Sequence, residues 1–133
     1  MRADNGHHTF TYAFTGWEGG FLESPVVQEA YDLNVPLQTA AGARPASSAF
    51  VLDEPNVFID TVKPAEDGSG DVIVRLYEAQ RADTSCVLGV NLPAAKVCAC
   101  DMLENVTGEL PLEDGCVKLH FHTFEVKTLR ISR

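Results

Sequence analysis

Two pairs of metal-ligating side chains stand two residues apart, Cys98 with Cys100 and His120 with His122. In a β-strand, positions i and i+2 share a face. If the two strands paired, these four side chains could form a tetrahedral zinc set of two thiolates and two imidazoles. The spacing alone is unspecific, because no C-x-x-C or H-E-x-x-H run accompanies it. The plainer reading puts His120 and His122 on the solvent face of an edge strand, opposite Leu119 and Phe121, and assigns this chain no metal ligand. His7 and His8 are adjacent, so in a strand they face opposite ways and suit one ion poorly.

Other reactive groups are equally plain. Cys86, Cys98 and Cys100 lie in apolar runs, where a thiolate is disfavoured, and Cys116 follows a turn and is more exposed. Disulfides are not expected: Cys98 and Cys100 point the same way in a strand, and the four thiols read as reduced. There is no G-x-S-x-G, and no hydrolytic triad has a specific signal. Glycoside hydrolysis needs two carboxyl groups about 5–9.5 Å apart. Asp60 and Glu78, each in or beside a strand and flanked by apolar residues, could meet if their strands pair. The competing reading leaves Asp60 in solvent and pairs Glu78 with a nearby base. No catalytic residue is assigned.

For sugar binding the candidate is Trp17, in the Gly-rich loop Gly16–Gly20 with Phe21 nearby. An exposed indole in a loop could stack on a pyranose face. The alternative has Trp17 and Phe21 folding back over the core or docking on a neighbouring domain. Gly68-Ser69-Gly70 reads as a hairpin turn, and its neighbours Asp67 and Asp71 make it a poor phosphate cradle.

The elements that must hold these residues are mostly strands. Runs of period near two occur at His8–Phe14, Val57–Val62, Val72–Tyr77, Val117–His122 and Val126–Ile131, with shorter ones at Ala49–Asp53, Cys86–Val90 and Lys96–Met102. Turn residues separate them at Ala41–Pro45, Asp53–Asn56, Asp67–Asp71, Asn105–Gly108 and Glu113–Gly115. The expected fold is all-β, an antiparallel β-sandwich of about eight short strands, with one short helix near residues 25–33. Ser24 is the expected cap, Pro25 suits the first turn, and Val26, Ala30 and Leu33 share a face. Asn34 and Pro36 end it.

Composition sets the bounds. The 133 residues are 45% hydrophobic and 22% charged, which is ordinary globular usage and enough for a single domain over 1–133. The net charge of −9 repels phosphates, so neither nucleic acid nor an anionic membrane is an expected partner. No apolar run approaches the roughly 18 residues of a membrane span. The first residues carry no apolar stretch of a signal peptide, so a cytoplasmic location is expected.

Five runs together resemble the C-terminal part of family 38 α-mannosidases. Asp4-Asn5-Gly6-His7-His8-Thr9-Phe10-Thr11-Tyr12-Ala13 is similar to a D-x-G-x-H-x-F-x-Y-A stretch. Residues 27–37 resemble the helix that follows it, with its A-x-x-L-N-x-P-L exit. Residues 56–67 resemble the N-V-x-x-x-x-V-K-x-A-E-D run, Val74–Glu78 the R-L-Y-E strand and Phe124–Arg130 the closing F-E-x-x-T-L-R. The Ala40–Ser48 and Cys86–Cys116 stretches depart from the pattern.

The resemblance implies the non-catalytic C-terminal β-sandwich region of a larger, retaining, zinc-dependent α-mannosidase, packed against the catalytic and middle domains. It also implies that zinc and the nucleophile lie outside this chain, which by itself would be inactive. A homodimer through the exposed docking face is a further expectation. The other functional reading is a stand-alone carbohydrate-binding module with affinity for mannosides. Within the matched runs, Arg75 is expected to pair with Asp60, Glu66 or Glu78 and so fix strand register.

Overall fold

The computed structural model describes residues 5–39, 41–42 and 45–133. Asp4 of the first family run, and Ala43 and Arg44 of the expected turn at 41–45, lie outside the described residues. The chain divides into two compact units, residues 1–41 and 42–133.

In the first unit a 3-10 turn, Phe21–Glu23, precedes the helix α1, Val26–Asn34. Helix and span agree with the sequence reading, but the cap does not. Ser24 Oγ donates to Phe21 O at 2.7 Å, and the helix begins from Pro25, whose carbonyl accepts from Glu29 N at 2.9 Å. A serine can serve either the turn behind it or the helix ahead, and the 3-10 turn takes it here. At the other end Asn34 Nδ2 donates to Ala30 O at 2.7 Å, closing the last turn with a side chain.

Residues 8–14, expected as a strand, are not one. Phe10, Tyr12 and Phe14 are 78%, 84% and 97% exposed. Alternation specifies which side chains share a face, but a strand also needs a neighbour for its N–H and C=O groups. No neighbour can be read from a periodic pattern.

The second unit holds eight strands: β1 Phe50–Leu52, β2 Val57–Pro64, β3 Val72–Glu78, β4 Thr84–Val90, β5 Lys96–Cys100, β6 Val106–Leu110, β7 Cys116–Phe121 and β8 Val126–Ser132. They form two sheets, β1-β4-β7 and β2-β3-β8-β5-β6, with every pairing antiparallel. The expected all-β sandwich is what the chain builds. The expected number of strands is also right, with one exchange: β6 takes the place of 8–14. The sequence reading made 105–108 a turn, whereas the turn lies four residues earlier. Asp101 Oδ1 accepts from Leu103 N and Asn105 N, and Asn105 Nδ2 donates to Asp101 Oδ2. Val106–Leu110 then pairs with β5 as an edge strand, exposed along most of its length. An edge strand with Thr, Gly and Glu at its centre has no apolar alternation to announce it.

The core lies between the sheets. Cys86, Leu88, Val117, Leu119 and Phe121 face Val74, Leu76, Val97, Leu129 and Ile131 across it. Burying one such side chain is worth roughly 1.5–3 kcal/mol. The turn at Asp114-Gly115 has φ of 49° and 75°, a two-residue reversal with both residues left-handed, and it starts β7.

The outer face of the larger sheet is covered as well. Ile73, Cys98 and Thr128 alternate with core residues yet are buried. Two loops cover them. The 101–105 turn brings Met102, whose carbonyl accepts from Arg75 Nη2 at 3.4 Å and whose sulfur lies 3.8 Å from Thr128 Oγ1. The 67–71 hairpin turn brings Asp67 and Asp71, which bind Arg130 of β8.

Candidate functional site

The Cys–His zinc set that the spacing allows does not assemble. Cys98 and Cys100 are on β5, which pairs with β6 and β8, and His120 is on β7, which pairs with β4 in the other sheet. All four cysteines are free thiols. Burial, then the charges of Asp53 and Glu54, push the Cys86 thiol up to about 11, and burial raises Cys100, so neither presents a thiolate. The solvent-face reading of the histidines is correct: β7 is an edge strand, His120 and His122 are exposed, and Leu119 and Phe121 are buried.

What the histidines meet instead is Asp83. Ser85 and His120 are opposite one another in the β4–β7 ladder, and Asp83 and His122 are the residues just beyond its last pair, Thr84 and Phe121. Ser85 Oγ is 3.1 Å from His120 Nδ1, and Asp83 Oδ1 is 3.1 Å from His122 Nδ1. The two imidazole rings meet edge to face with centroids 5.2 Å apart. Sequence spacing found the two histidines. Asp83, which lies 39 residues from His122, could be found only from the register.

Asp60 and Glu78 do not form a hydrolytic pair. Their strands do pair, but Glu78 lies opposite Val57, and Asp60 sits at the irregularity between Ile59 and Thr61, exposed. Glu78 is 1% exposed and gathers four segments. Its carboxylate accepts from Asn56 Nδ2 at 3.0 Å, from Gln80 N at 2.6 Å and from Phe124 N at 3.0 Å. Asn56 Nδ2 also donates to Thr84 Oγ1 at 2.7 Å. Burial pushes the Glu78 carboxyl up, but the N–H groups of Phe124 and Gln80 and the Asn56 amide outweigh it and hold the group below its ordinary value. Phe124 has φ of 56°, a left-handed conformation uncommon for an aromatic residue, and its N–H is the one that Glu78 accepts. Both Asn56 and Glu78 belong to the family-like runs, and their work here is to tie loops together at one end of the sandwich.

Arg75 does not pair with the expected acids. Its Nε donates to Thr128 Oγ1 at 3.3 Å, while Glu66 binds Lys63 and Glu78 is held as described. The ion-pair clamp belongs to Arg130, with Nε 2.6 Å from Asp71 Oδ2 and Nη2 2.7 Å from Asp67 Oδ2 and 3.0 Å from Ser69 Oγ. Ser69 and then Arg130 hold the Asp67 carboxyl down at about 2. The acidic turn at 67–71, unsuited to phosphate, is therefore a socket for a guanidinium.

Trp17 is 42% exposed, and its indole N–H donates to Gly20 O at 2.8 Å, inside its own loop. Glu23 Oε2 accepts from Gly20 N at 2.8 Å and closes the same loop. The ring thus offers a face while its polar edge is already engaged. His7 and His8 are exposed and lie outside any strand.

Comparison with known proteins agrees with this architecture. The model of the glycosyl hydrolases family 38 C-terminal beta sandwich domain matches residues 56–129. Over 96% of its length the chain is 39% identical to "Alpha-mannosidase 2C1" of Mus musculus and to the protein of that name from Homo sapiens. It is 27% identical, again over 96% of its length, to "Alpha-mannosidase G" of Dictyostelium discoideum. The chain spans only 13% of the mouse and human relatives and 12% of the third. With a matched segment that runs from the β1–β2 loop into β8 and folds as two antiparallel sheets, the chain belongs to the family of C-terminal β-sandwich domains of the family 38 glycosyl hydrolases.

Proposed function

We propose that this chain is a non-catalytic portion of a larger α-mannosidase, and that it supports the enzyme by packing against the catalytic and middle domains. One observation carries the reading: 96% of the chain is alignable with α-mannosidases of which it spans 13%. Two features of the molecule support it. Glu78, considered for catalysis, is engaged in holding loops. Phe10, Tyr12 and Phe14 offer apolar surface of the kind that a neighbouring domain covers.

In this reading the parent enzyme is retaining and zinc-dependent, with its zinc and nucleophile outside this chain. The residues here do not fit that centre, because the cysteine pair and His120 lie on different sheets and Asp60 and Glu78 do not face one another. The parent acts on terminal α-mannosides. A reducing, cytoplasmic setting is part of the proposal, in keeping with four free thiols; no helix among the described residues is long and apolar enough to cross a membrane. Expressed alone, the chain would form homodimers through the uncovered face.

The test is an aryl α-mannoside assay. The chain alone should give no turnover, and adding it to a family 38 enzyme lacking this segment should restore stability or activity to that enzyme. Hydrolysis by the chain alone would refute the reading. The mannoside-binding alternative rests on the exposed face of Trp17 and predicts a fluorescence change with mannose.

A further inference from the structure

We propose that Asp83, His120 and His122 form a surface site for a divalent first-row transition metal ion. The donor atoms of the three side chains lie within 4.8 Å of one another. Metal–nitrogen and metal–oxygen bonds near 2.0–2.2 Å require donors about 3.3 Å apart around a tetrahedral ion. All three side chains are exposed, so the rotations that close this gap meet little resistance.

The sheet prepares the arrangement. His120 on β7 and His122 just past its end are both exposed, and β4 pairs with β7 up to Thr84 and Phe121, which brings the next residues, Asp83 and His122, to within 3.1 Å of one another. Ser85 Oγ, 3.1 Å from His120 Nδ1, orients the second ring. When Nδ1–H donates to that hydroxyl, the other ring nitrogen carries the lone pair that a metal needs. Two imidazoles and a carboxylate suit zinc, nickel or copper rather than calcium or magnesium, and water completes the coordination. Glu125, paired with Lys127 through its other oxygen, accepts from His122 N through Oε2 at 2.8 Å and fixes the backbone of that residue. A bound ion would join the end of the edge strand β7 to the loop that leads into β4, and so brace that border of the smaller sheet.

Titration calorimetry of the 133-residue chain with nickel chloride tests the site, with zinc chloride as a second probe read by histidine-ring NMR. One ion should bind per chain and raise the melting midpoint. His120→Ala with His122→Ala should abolish binding, and each single change, like Asp83→Asn, should weaken it by about tenfold or more. Zinc should shift the ring signals of His120 and His122. Cys116→Ser, and His7→Ala with His8→Ala, should leave the affinity unchanged. Because every one of these side chains is exposed, the metal-free variants should melt as the parent chain does. Retained binding in the double histidine variant, or its loss with Cys116→Ser or with the His7 and His8 changes, would overturn the proposal.

Discussion

The two units of the chain handle similar residues in opposite ways. Residues 42–133 enclose Phe121, Leu88 and Leu129 completely, and among the described residues no buried side-chain nitrogen or oxygen lacks a partner. In residues 1–41 the only described residue that is buried is Ser24, while Phe10, Tyr12 and Phe14 stand in solvent. Both stretches contain runs that resemble the family, and both contain alternating apolar residues. What separates them is sheet pairing: eight strands among the described residues supply one another with a ladder and an apolar face, and residues 8–14 belong to no strand. Order in this chain follows burial and pairing together, and periodicity without a partner leaves a segment extended and exposed.

That contrast can be broken, and the largest effect should come from the core. Phe121→Ala should destabilise residues 42–133 by about 3–5 kcal/mol, measured by urea unfolding, because it opens a cavity where both sheets meet. Glu78→Gln should cost about 2–4 kcal/mol, since the amide sets its own donors against the N–H groups of Gln80 and Phe124. An unchanged urea midpoint for Glu78→Gln would show that the four segments hold together without it.

The same residue makes a pH prediction. The folded-state pKa of Glu78 lies below its ordinary value of 4.5, so protons favour the unfolded chain. Its contribution is complete above that value and is lost as pH falls through the folded-state pKa. Between about pH 7 and about pH 4 the stability of Glu78→Gln should therefore fall less than that of the parent chain. A residual slope should remain from Asp67, Asp71 and Glu104, which are also held low.

Arg130→Met should lower the melting midpoint by less than Glu78→Gln does, because the clamp on Asp67 and Asp71 is partly solvated and its arginine stem is replaced by an apolar one. Smallest of all, Phe14→Ser should change the stability of the isolated chain by less than about 0.5 kcal/mol, as expected for an exposed side chain. A loss comparable to that of Phe121→Ala would end the distinction between the two units.

Much of the sandwich was legible in the residues themselves. Val117, Leu119 and Phe121 alternate with Lys118, His120 and His122; β7 buries the first set and exposes Lys118 and His120, and His122 just beyond it is exposed too. The turns at 67–71 and 113–115 stand where their Asp and Gly residues put them. Less legible were features that depend on a partner far along the chain. Arg75 and Arg130 both occur in strands of the same sheet, yet only Arg130 binds the turn that carries two aspartates. Glu78 could be an acid in a cleft or a hub for loops, and the choice depends on Asn56, Gln80 and Phe124 arriving around it.

By itself, the sequence determined the fold class, the helix span, the inward face of most strands and the family, because side-chain periodicity and turn chemistry are local properties of the chain. The tertiary structure alone decided which strands were neighbours. It thereby decided that the cysteine pair and His120 would lie in different sheets, that Asp83 would stand beside His122, and that residues 8–14 would remain without a ladder. Pairing is a contest among distant segments for the same hydrogen-bonding edges, and its outcome depends on the whole packed arrangement rather than on any one segment.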